Sequence, residues 1–269
     1  IGEARIGWCG YPLDKRIFPW NHANCGDLNL SGERRPQSYL RETLWSDAPV
    51  SHIVVTPPVP SFPLNPNKAD WSVWDFPDVV DHWNFPGYEG KKMTVSVYSN
   101  CEQVELFLNG ESLGKQENTA DKKNTLVWEV PYAHGILKAV SYNKGGEVGT
   151  ATLESAGKVE KIRLSADRTE IVADGNDLSY ITLELVDSKG IRNQLAEELV
   201  EFSIAGDATI EGVGNANPMS IESFVANSRK TWRGSNLLVV RSGKSSGRII
   251  VTAKVKALPV ASITITQKK

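Results

Sequence analysis

The sequence predicts a mainly β protein in which a short helix-containing segment precedes two immunoglobulin-like β-sandwich domains. Two observations carry this prediction. From Lys92 onward, short stretches of alternating apolar and polar residues recur roughly every ten residues, with turn-forming residues between them. Apolar residues at helical spacing follow Pro36. The helix-containing segment is expected over residues 1–47, and the sandwiches over residues 48–157 and 158–269.

The composition is that of a folded globular chain, and it excludes several functions. The 269 residues are 40% hydrophobic and 23% charged, and 30 basic against 32 acidic side chains give a formal net charge of −2. Because general nucleic-acid binders carry a basic excess, no nucleic acid is expected as a partner. No apolar run approaches the roughly 20 residues of a membrane span. The chain begins at Ile1 without a Met, and we expect it to be the tail of a longer protein.

The helix is predicted by the residues that follow Pro36. Proline suits the first helical turn, where its missing N–H is not needed. Tyr39, Leu40 and Leu44 recur at helical spacing, and Pro49 closes the segment. One helix behind an irregular, aromatic-rich stretch cannot form a core by itself. The segment is therefore expected to pack either on something that the chain does not contain or on the domain that follows.

The first β-domain is predicted from a proline-rich entry and a series of strands. Residues 56–70 are rich in proline, which supports neither a helix nor a central strand, so an extended linker or a surface wrap is expected there. Asn109-Gly110 is a strong hairpin signal, and residues 143–146 form another turn. The strands are expected at Met93–Tyr98, Val104–Leu108, Thr125–Val130 and Gly135–Tyr142.

The second β-domain follows a short link at residues 155–157. Its strands are expected at Val159–Leu164, Tyr180–Val186, Leu199–Ile204, Ala208–Val213, Asn236–Arg241, Arg248–Lys254 and Ala261–Thr266. The glycines of residues 212–217 superficially resemble a phosphate-binding loop. Because a third glycine and a following helix are missing, a turn or a bulge is predicted there instead.

Motifs for nucleotide binding, zinc proteolysis or serine hydrolysis are absent from the sequence, and neither a cofactor nor a metal is expected. The four histidines are scattered without ligand spacing. The three cysteines, Cys9, Cys25 and Cys101, are too few and too widely spaced for a disulfide framework. Small buried thiols are the favoured interpretation, and a Cys9–Cys25 pair or metal site is the alternative.

Aromatic residues between Trp8 and His22 are the main functional indication. They lie in a stretch of loop-forming residues, beside the polar side chains of Asn21, Asn24 and Asp27. Apolar walls with a few placed polar groups are typical of a small-molecule site, and a saccharide would suit indole rings with a polar rim. Aromatic side chains also dominate domain interfaces, so an interface remains the alternative.

Several segments contain rare runs of consecutive residues: 18–30, 35–45, 82–90, 104–110, 164–168, 212–215 and 228–230. These segments resemble family 2 glycoside hydrolases, and most of all the β-galactosidases of Bacteroides-type bacteria with extra C-terminal β-domains. The first two segments resemble the last loop and helix of a (β/α)8 barrel. The next two resemble the fourth domain of those enzymes, and the others resemble the fifth, an invasin-like sandwich.

The resemblance implies that the parent protein is a retaining hydrolase of terminal β-galactosides or related β-glycosides in carbohydrate breakdown. Such enzymes use two glutamates about 5–5.5 Å apart, one as nucleophile and one as acid/base. Both would lie on earlier barrel strands, so no catalytic residue is expected in this chain, and Glu3 is not a substitute. Trp20, His22 and Asn24 are expected at the rim of the parent's sugar pocket.

The resemblance also implies partners and a location. A saccharide bound through the upstream barrel is the expected ligand, and the barrel itself is the expected contact of residues 1–47. The expected location is periplasmic or extracellular. Two alternatives remain: the β-domains are a carbohydrate-binding or adhesion module in their own right, or residues 158–269 are a spacer or a homo-oligomer contact.

Overall fold

The computed structural model describes residues 19–20, 26–62 and 77–269. The chain divides into two compact units, with the boundary between Ser155 and Ala156. Each unit contains two sheets, in which most strand pairs are antiparallel, with apolar side chains packed between the sheets. The prediction of a mainly β chain built from sandwich domains is therefore confirmed.

The described residues of the first unit form one α-helix, one short 3-10 helix and seven strands. They are α1 (Ser38–Trp45), β1 (Ser51–Val55), β2 (Lys92–Ser99), β3 (Gln103–Leu108), β4 (Glu111–Glu117), a 3-10 turn (Ala120–Lys122), β5 (Thr125–Pro131), β6 (Ile136–Asn143) and β7 (Gly146–Glu154). One sheet has the order β1-β2-β5 and the other β4-β3-β6-β7. Trp83 is fully buried in the core between them, and its indole N–H donates to the carbonyl of Ala133 at 2.8 Å.

Both predicted hairpin turns of the first unit are confirmed. β3 and β4 are joined by Asn109 and Gly110, whose φ angles are 52° and 88°. β6 and β7 are joined by Lys144 and Gly145, at 51° and 79°. Two consecutive positive φ angles define the turn whose twist matches that of the flanking strands, which is why asparagine and glycine favour it.

The proline-rich segment does not connect two domains. β1 precedes this segment and pairs with β2 on its far side, so both ends belong to one sheet. Val55 and Val80 exchange two backbone hydrogen bonds of 2.8 and 2.9 Å, which returns the chain to the strand that it left. Residues 56–62 are therefore part of a loop of the first unit. β1 was not predicted from the sequence, because its buried residues form a continuous apolar run beside the prolines instead of an alternating pattern.

The helix α1 begins at Ser38, slightly later than the sequence predicted, and Pro36 lies in the turn before it. Tyr39 and Leu40 pack against a small apolar cluster on the first sheet. In the last turn of the helix, Leu44 and Trp45 are 65% and 75% exposed. The helix thus packs on the domain that follows it, which was one of the two alternatives, and its C-terminal end leaves two large apolar side chains exposed.

The second unit contains nine strands in two sheets. They are β8 (Lys161–Ala166), β9 (Glu170–Val172), β10 (Leu178–Val186), β11 (Leu199–Ala205), β12 (Ala208–Gly214), β13 (Ser228–Lys230), β14 (Ser235–Ser242), β15 (Gly247–Val255) and β16 (Ala261–Lys268). The sheet orders are β12-β14-β10-β8 and β13-β11-β15-β16-β9, and β9 pairs with β16 in parallel. The predicted irregularity near Gly212 is confirmed as a β-bulge between Ile210 and Gly212.

Candidate functional site

Trp20 is the member of the predicted sugar-pocket rim that lies within the described residues. Its side chain is buried, and its ring meets the ring of Phe62 edge-to-face, with centroids 4.8 Å apart and planes at 87°. In this chain the indole therefore packs against the loop that follows β1. His22 and Asn24 lie outside the described residues, and a substrate contact by any of the three stays a prediction.

The chain after the predicted aromatic loop is held by two arginines. Arg35 donates from its guanidinium to the carbonyl of Gly26 at 3.2 Å, and Arg41 is paired with Asp27 at 3.4 Å. The backbone amide of Arg35 also donates to the carbonyl of Asp27 at 2.8 Å. These contacts fix Gly26 and Asp27 against the segment that leads into α1.

A stack of three side chains seats α1 on the first sheet. The guanidinium carbon of Arg34 lies 3.9 Å from the centroid of the Tyr39 ring, and His52 of β1 stacks against Tyr39. Arg34 is also paired with Glu42 of the helix at 2.6 Å. Burial lowers the pKa of His52 from its usual 6.5 to about 4, although the nearby Asp81 carboxylate opposes that shift. His52 is therefore neutral in the folded protein near pH 7.

Asparagine side chains from the loops of the first unit hold the C-terminal end of α1. Asn124 donates to the hydroxyl and the carbonyl of Thr43 at 3.0 and 3.3 Å. Asn100 donates to the carbonyls of Ser46 and Ala48, both at 2.9 Å. Carbonyl groups at a helix end have no partner within the helix. The amides satisfy such groups and fix the direction in which the chain leaves the helix.

The first unit also has an open cleft of about 760 Å³ beside the β3–β4 hairpin. Leu108 and Leu113 contribute apolar surface, and Glu89, Glu111 and His134 contribute polar groups. Apolar walls with a few polar groups can hold a small neutral ligand. Neither the cleft nor its residues were identified from the sequence, because they come together only when the hairpin folds back over the chain that follows β5.

The shifted carboxyl groups in the described residues differ from those of a glycosidase acid catalyst. Hydrogen bonds from the backbone amides of Asn176 and Asp177 lower the pKa of Asp174. The hydroxyl and amide of Ser245 likewise lower the pKa of Asp207. An acid catalyst needs a raised pKa. These carboxylates therefore act as acceptors that hold loops.

Within residues 19–20, 26–62 and 77–269, no group of three or more His, Cys, Asp or Glu side chains is placed to hold a metal ion. In that part of the chain, no helix has the length and apolar character to cross a membrane. Cys101 is a buried free thiol, as predicted, while Cys9 and Cys25 lie outside the described residues.

Comparison with known proteins gives two family matches. Residues 162–264 match the family described as glycoside hydrolase family 2 C-terminal domain 5, and residues 90–149 match a domain of unknown function, DUF4982. A β-galactosidase of Bacteroides ovatus is 30% identical over 94% of this chain and 26% of its own length. A solved family 2 glycosyl hydrolase of Bacteroides cellulosilyticus is 99% identical over 98% of this chain and 34% of its own, with a TM-score of 0.94.

The chain is a C-terminal part of a family 2 glycoside hydrolase. A β-glucuronidase of Formosa agariphila is also similar, with 30% identity over 74% of this chain and 20% of its own length. This family 2 chain thus spans between a fifth and about a third of the relatives that it matches. The family match at residues 162–264 lies wholly in the second unit, and the match at residues 90–149 in the first.

Proposed function

We propose that this chain supplies the accessory β-domains, and one edge of the sugar pocket, of a retaining hydrolase of terminal β-galactosides or related β-glycosides. The observation that carries the proposal is the exposed apolar end of helix α1. Tyr39 and Leu40 pack on the first sheet, whereas Leu44 and Trp45 in the last turn lie open to solvent. A helix normally buries its large apolar side chains. Two such side chains left exposed indicate that another domain covers them in the longer protein.

In this proposal, residues 1–47 are the last loop and helix of a (β/α)8 barrel, as the resemblance implies. Trp20, His22 and Asn24 then border the sugar pocket, and the anchored Gly26–Asp27 end of the loop sets their position. The two catalytic glutamates lie on earlier barrel strands, outside this chain. The Arg34–Tyr39–His52 stack and the side chains of Asn100 and Asn124 hold this helix on the first sheet. The first unit thus supports the barrel helix from outside.

Hydrolysis assays on the parent and on this chain test the proposal. The parent is expected to release the chromophore from nitrophenyl β-galactoside, and proton NMR should show a β-anomeric product first, as retention requires. This chain alone is expected to release none. Release by the chain above a mock preparation, or an α-anomeric first product from the parent, would contradict the mechanism.

A parallel assay with nitrophenyl β-glucuronide addresses the sugar. The similarity to a β-galactosidase covers 94% of the chain, whereas the similarity to a β-glucuronidase covers 74%. The longer match supports a galactoside as the substrate. We expect galactoside to be hydrolysed with the larger kcat/KM. A larger value for glucuronide would move the substrate to the second class while leaving the role of this chain unchanged.

A periplasmic or extracellular location, which the resemblance to Bacteroides-type family 2 enzymes implies, belongs to the same proposal. Cell fractionation of the native host, with a cytoplasmic marker enzyme as control, tests it.

A homo-oligomeric parent also remains proposed. The mass of the parent with and without residues 158–269 shows whether the second unit holds the subunits together.

The cleft beside the β3–β4 hairpin favours the second candidate function, a carbohydrate-binding module. Asn109 and His134 could offer polar contacts beside the apolar surface of Leu108. Calorimetry with galactose and with a β-galactooligosaccharide at millimolar concentration decides whether this chain binds sugar. Heat that disappears in a Glu111→Ala variant would support the cleft, and no heat from the unchanged chain would reject this function.

A further inference from the structure

The most unusual surface of the second unit is the loop of residues 215–227 between β12 and β13. Loops longer than about 12 residues with no regular structure are uncommon in compact domains and are usually functional. The tip of this loop carries Ile221, Phe224 and Val225, which are 84%, 52% and 82% exposed. Three large exposed apolar side chains within five residues form an apolar tip, in contrast with the single exposed apolar residues that are normal on a surface.

A buried arginine holds this loop in place. Arg229 is 1% exposed, and its guanidinium donates to the carbonyls of Val213 and Glu222 at 3.1 and 3.2 Å. It also donates to the hydroxyl of Ser220 at 3.0 Å, and its carbon lies 4.2 Å from the centroid of the Phe224 ring. A buried guanidinium is costly unless its donors are used. Ser220 and Glu222 of the loop supply two of the three acceptors, and Val213 of β12 supplies the third, so the conformation of the loop depends on Arg229.

Several polar side chains of the loop are used within the second unit. Asn215 is buried and donates to the carbonyl of Lys230 at 2.9 Å, while Glu222 accepts from the amide of Lys230 at 3.0 Å. The amide of Met219 donates to Asn217 at 2.9 Å. These bonds hold the loop in one conformation while its large apolar side chains stay exposed, which is the arrangement of a preorganised protein contact.

We propose that the apolar tip of this loop, Ile221, Phe224 and Val225, docks on the part of the parent polypeptide that lies outside this chain. The chain covers 34% of the solved family 2 relative, so about two thirds of such a protein is available as the occupant. Covalent attachment gives that occupant an effective concentration of roughly millimolar order, which a free partner rarely reaches. Aliphatic side chains offer a saccharide no hydrogen bond, so a protein surface is the matching partner. The inference rests on one part of the proposed function, namely that the chain belongs to a longer protein.

Cysteine accessibility in the intact parent tests the docking. Val225→Cys and Val260→Cys are made separately; Val260 is the matched control because it is also an exposed valine of the second unit, at 58%. Each native variant is treated with a maleimide, and labelling of the peptide is followed by mass spectrometry. We expect Val225→Cys to react at least tenfold more slowly than Val260→Cys. Equal rates would show an open tip and overturn the proposal.

Dilution and a second variant separate the remaining outcomes. Slow labelling of Val225→Cys that becomes fast as the parent is diluted would identify a second copy as the occupant, which also overturns the proposal. The double variant Ile221→Ser/Val225→Ser should lower the thermal midpoint of the parent by several degrees, whereas Val260→Ser should leave it unchanged. Neither readout uses hydrolysis, so the result stands whether or not the parent cleaves a β-galactoside.

Discussion

The imidazole of His52 lies parallel to the phenol ring of Tyr39, with centroids 3.5 Å apart and planes 11° apart. Tyr39 belongs to α1 and His52 to β1, so this pair joins the helix to the sheet. The Nε2 atom of His52 is buried without a hydrogen-bond partner. The stack therefore depends on an uncharged imidazole, and a proton on His52 works against the seating of the helix.

We expect the first unit to lose stability as the pH falls from about 6.5 to about 4. The folded pKa of His52 is about 4 and lies below its usual 6.5, so the unfolded chain binds this proton first. Its contribution is fully present above pH 6.5 and is lost progressively below it. The shift corresponds to about 3 kcal/mol at most, since one pKa unit is about 1.4 kcal/mol.

Urea unfolding between pH 7.5 and 4.5 measures this dependence. The control is His52→Phe, which keeps an aromatic ring against Tyr39 and removes the titrating group. The variant should show a shallower fall in the free energy of unfolding than the unchanged chain, because only the carboxyl groups and the other histidines still titrate. Identical slopes for the two proteins would remove His52 from the explanation.

Asn124→Ala should destabilise the first unit by about 1–3 kcal/mol, because it leaves the buried Thr43 without its amide donor. The φ angle of Asn124 is 60°, so alanine also introduces backbone strain. Asn124→Gly separates the two effects, since glycine adopts this φ freely and also lacks the amide. Chemical denaturation of the three proteins gives the comparison. If glycine restored full stability, the hydrogen bond to Thr43 would contribute nothing.

Trp45→Ser should leave the stability of this chain within about 0.5 kcal/mol, because the side chain is 75% exposed. The same change should destabilise the parent and reduce its hydrolytic activity if a barrel covers this face. Leu40→Ser is the matched control: it faces the first sheet and should destabilise both proteins. Thermal unfolding of chain and parent tests this. An unaffected parent would show that the outer face of α1 has no cover.

Asp187→Asn should destabilise the second unit by about 1–3 kcal/mol. The Asp187 carboxylate is buried and accepts from the amides of Gly157, Lys189 and Ile191 at 2.8 to 3.0 Å. Burial alone would raise the pKa of this carboxyl, but these amides outweigh it and the pKa is lowered. An asparagine amide would offer an N–H where one acceptor is needed.

The pH effect at Asp187 has the same sign as that at His52, because both pKa values are lowered, but its origin differs: hydrogen bonds favour the charged carboxylate of Asp187, whereas burial favours the neutral imidazole of His52. A lowered carboxyl pKa contributes stability above the usual value of 3.8 and loses it as the pH falls through the folded value. In denaturant unfolding, the free energy of unfolding of the unchanged chain should therefore fall further below pH 4. The Asp187→Asn variant should lack that part of the fall. A variant as stable as the original at pH 7 would contradict the role of the three amides.

Most strands could be predicted from the sequence because their residues alternate, as in Tyr180–Val186, where Ile181, Leu183 and Leu185 are buried. β4 and β7 were not predicted. Most of their residues are exposed, and the alternating stretch of β7, residues 149–153, is only partly buried. The short strands β9 and β13 have three residues each, too few for a period to be recognised.

The candidate site was predicted in outline only. Aromatic density indicated the loop around Trp20, but nothing in the sequence shows that Trp20 meets Phe62, which lies in a proline-rich stretch far along the chain. The same holds for Asn124 and Thr43, which are 81 residues apart and meet only after both sheets form. Such contacts depend on tertiary structure and leave no local pattern.

The parallel pairing of β9 with β16 sets an order of events during biosynthesis. Glu170 and Lys268 are 98 residues apart and are joined by an ion pair of 2.7 Å at the edge of this sheet. At roughly 5–20 residues per second, a ribosome needs about 5–20 s to make the intervening chain. Until then β9 has no neighbour in its sheet, because β16 separates it from β15. The first unit has all its strands by Glu154 and can fold earlier. During synthesis the second unit consequently exposes an unpaired sheet edge. It is therefore the part of this chain that most needs protection by chaperones.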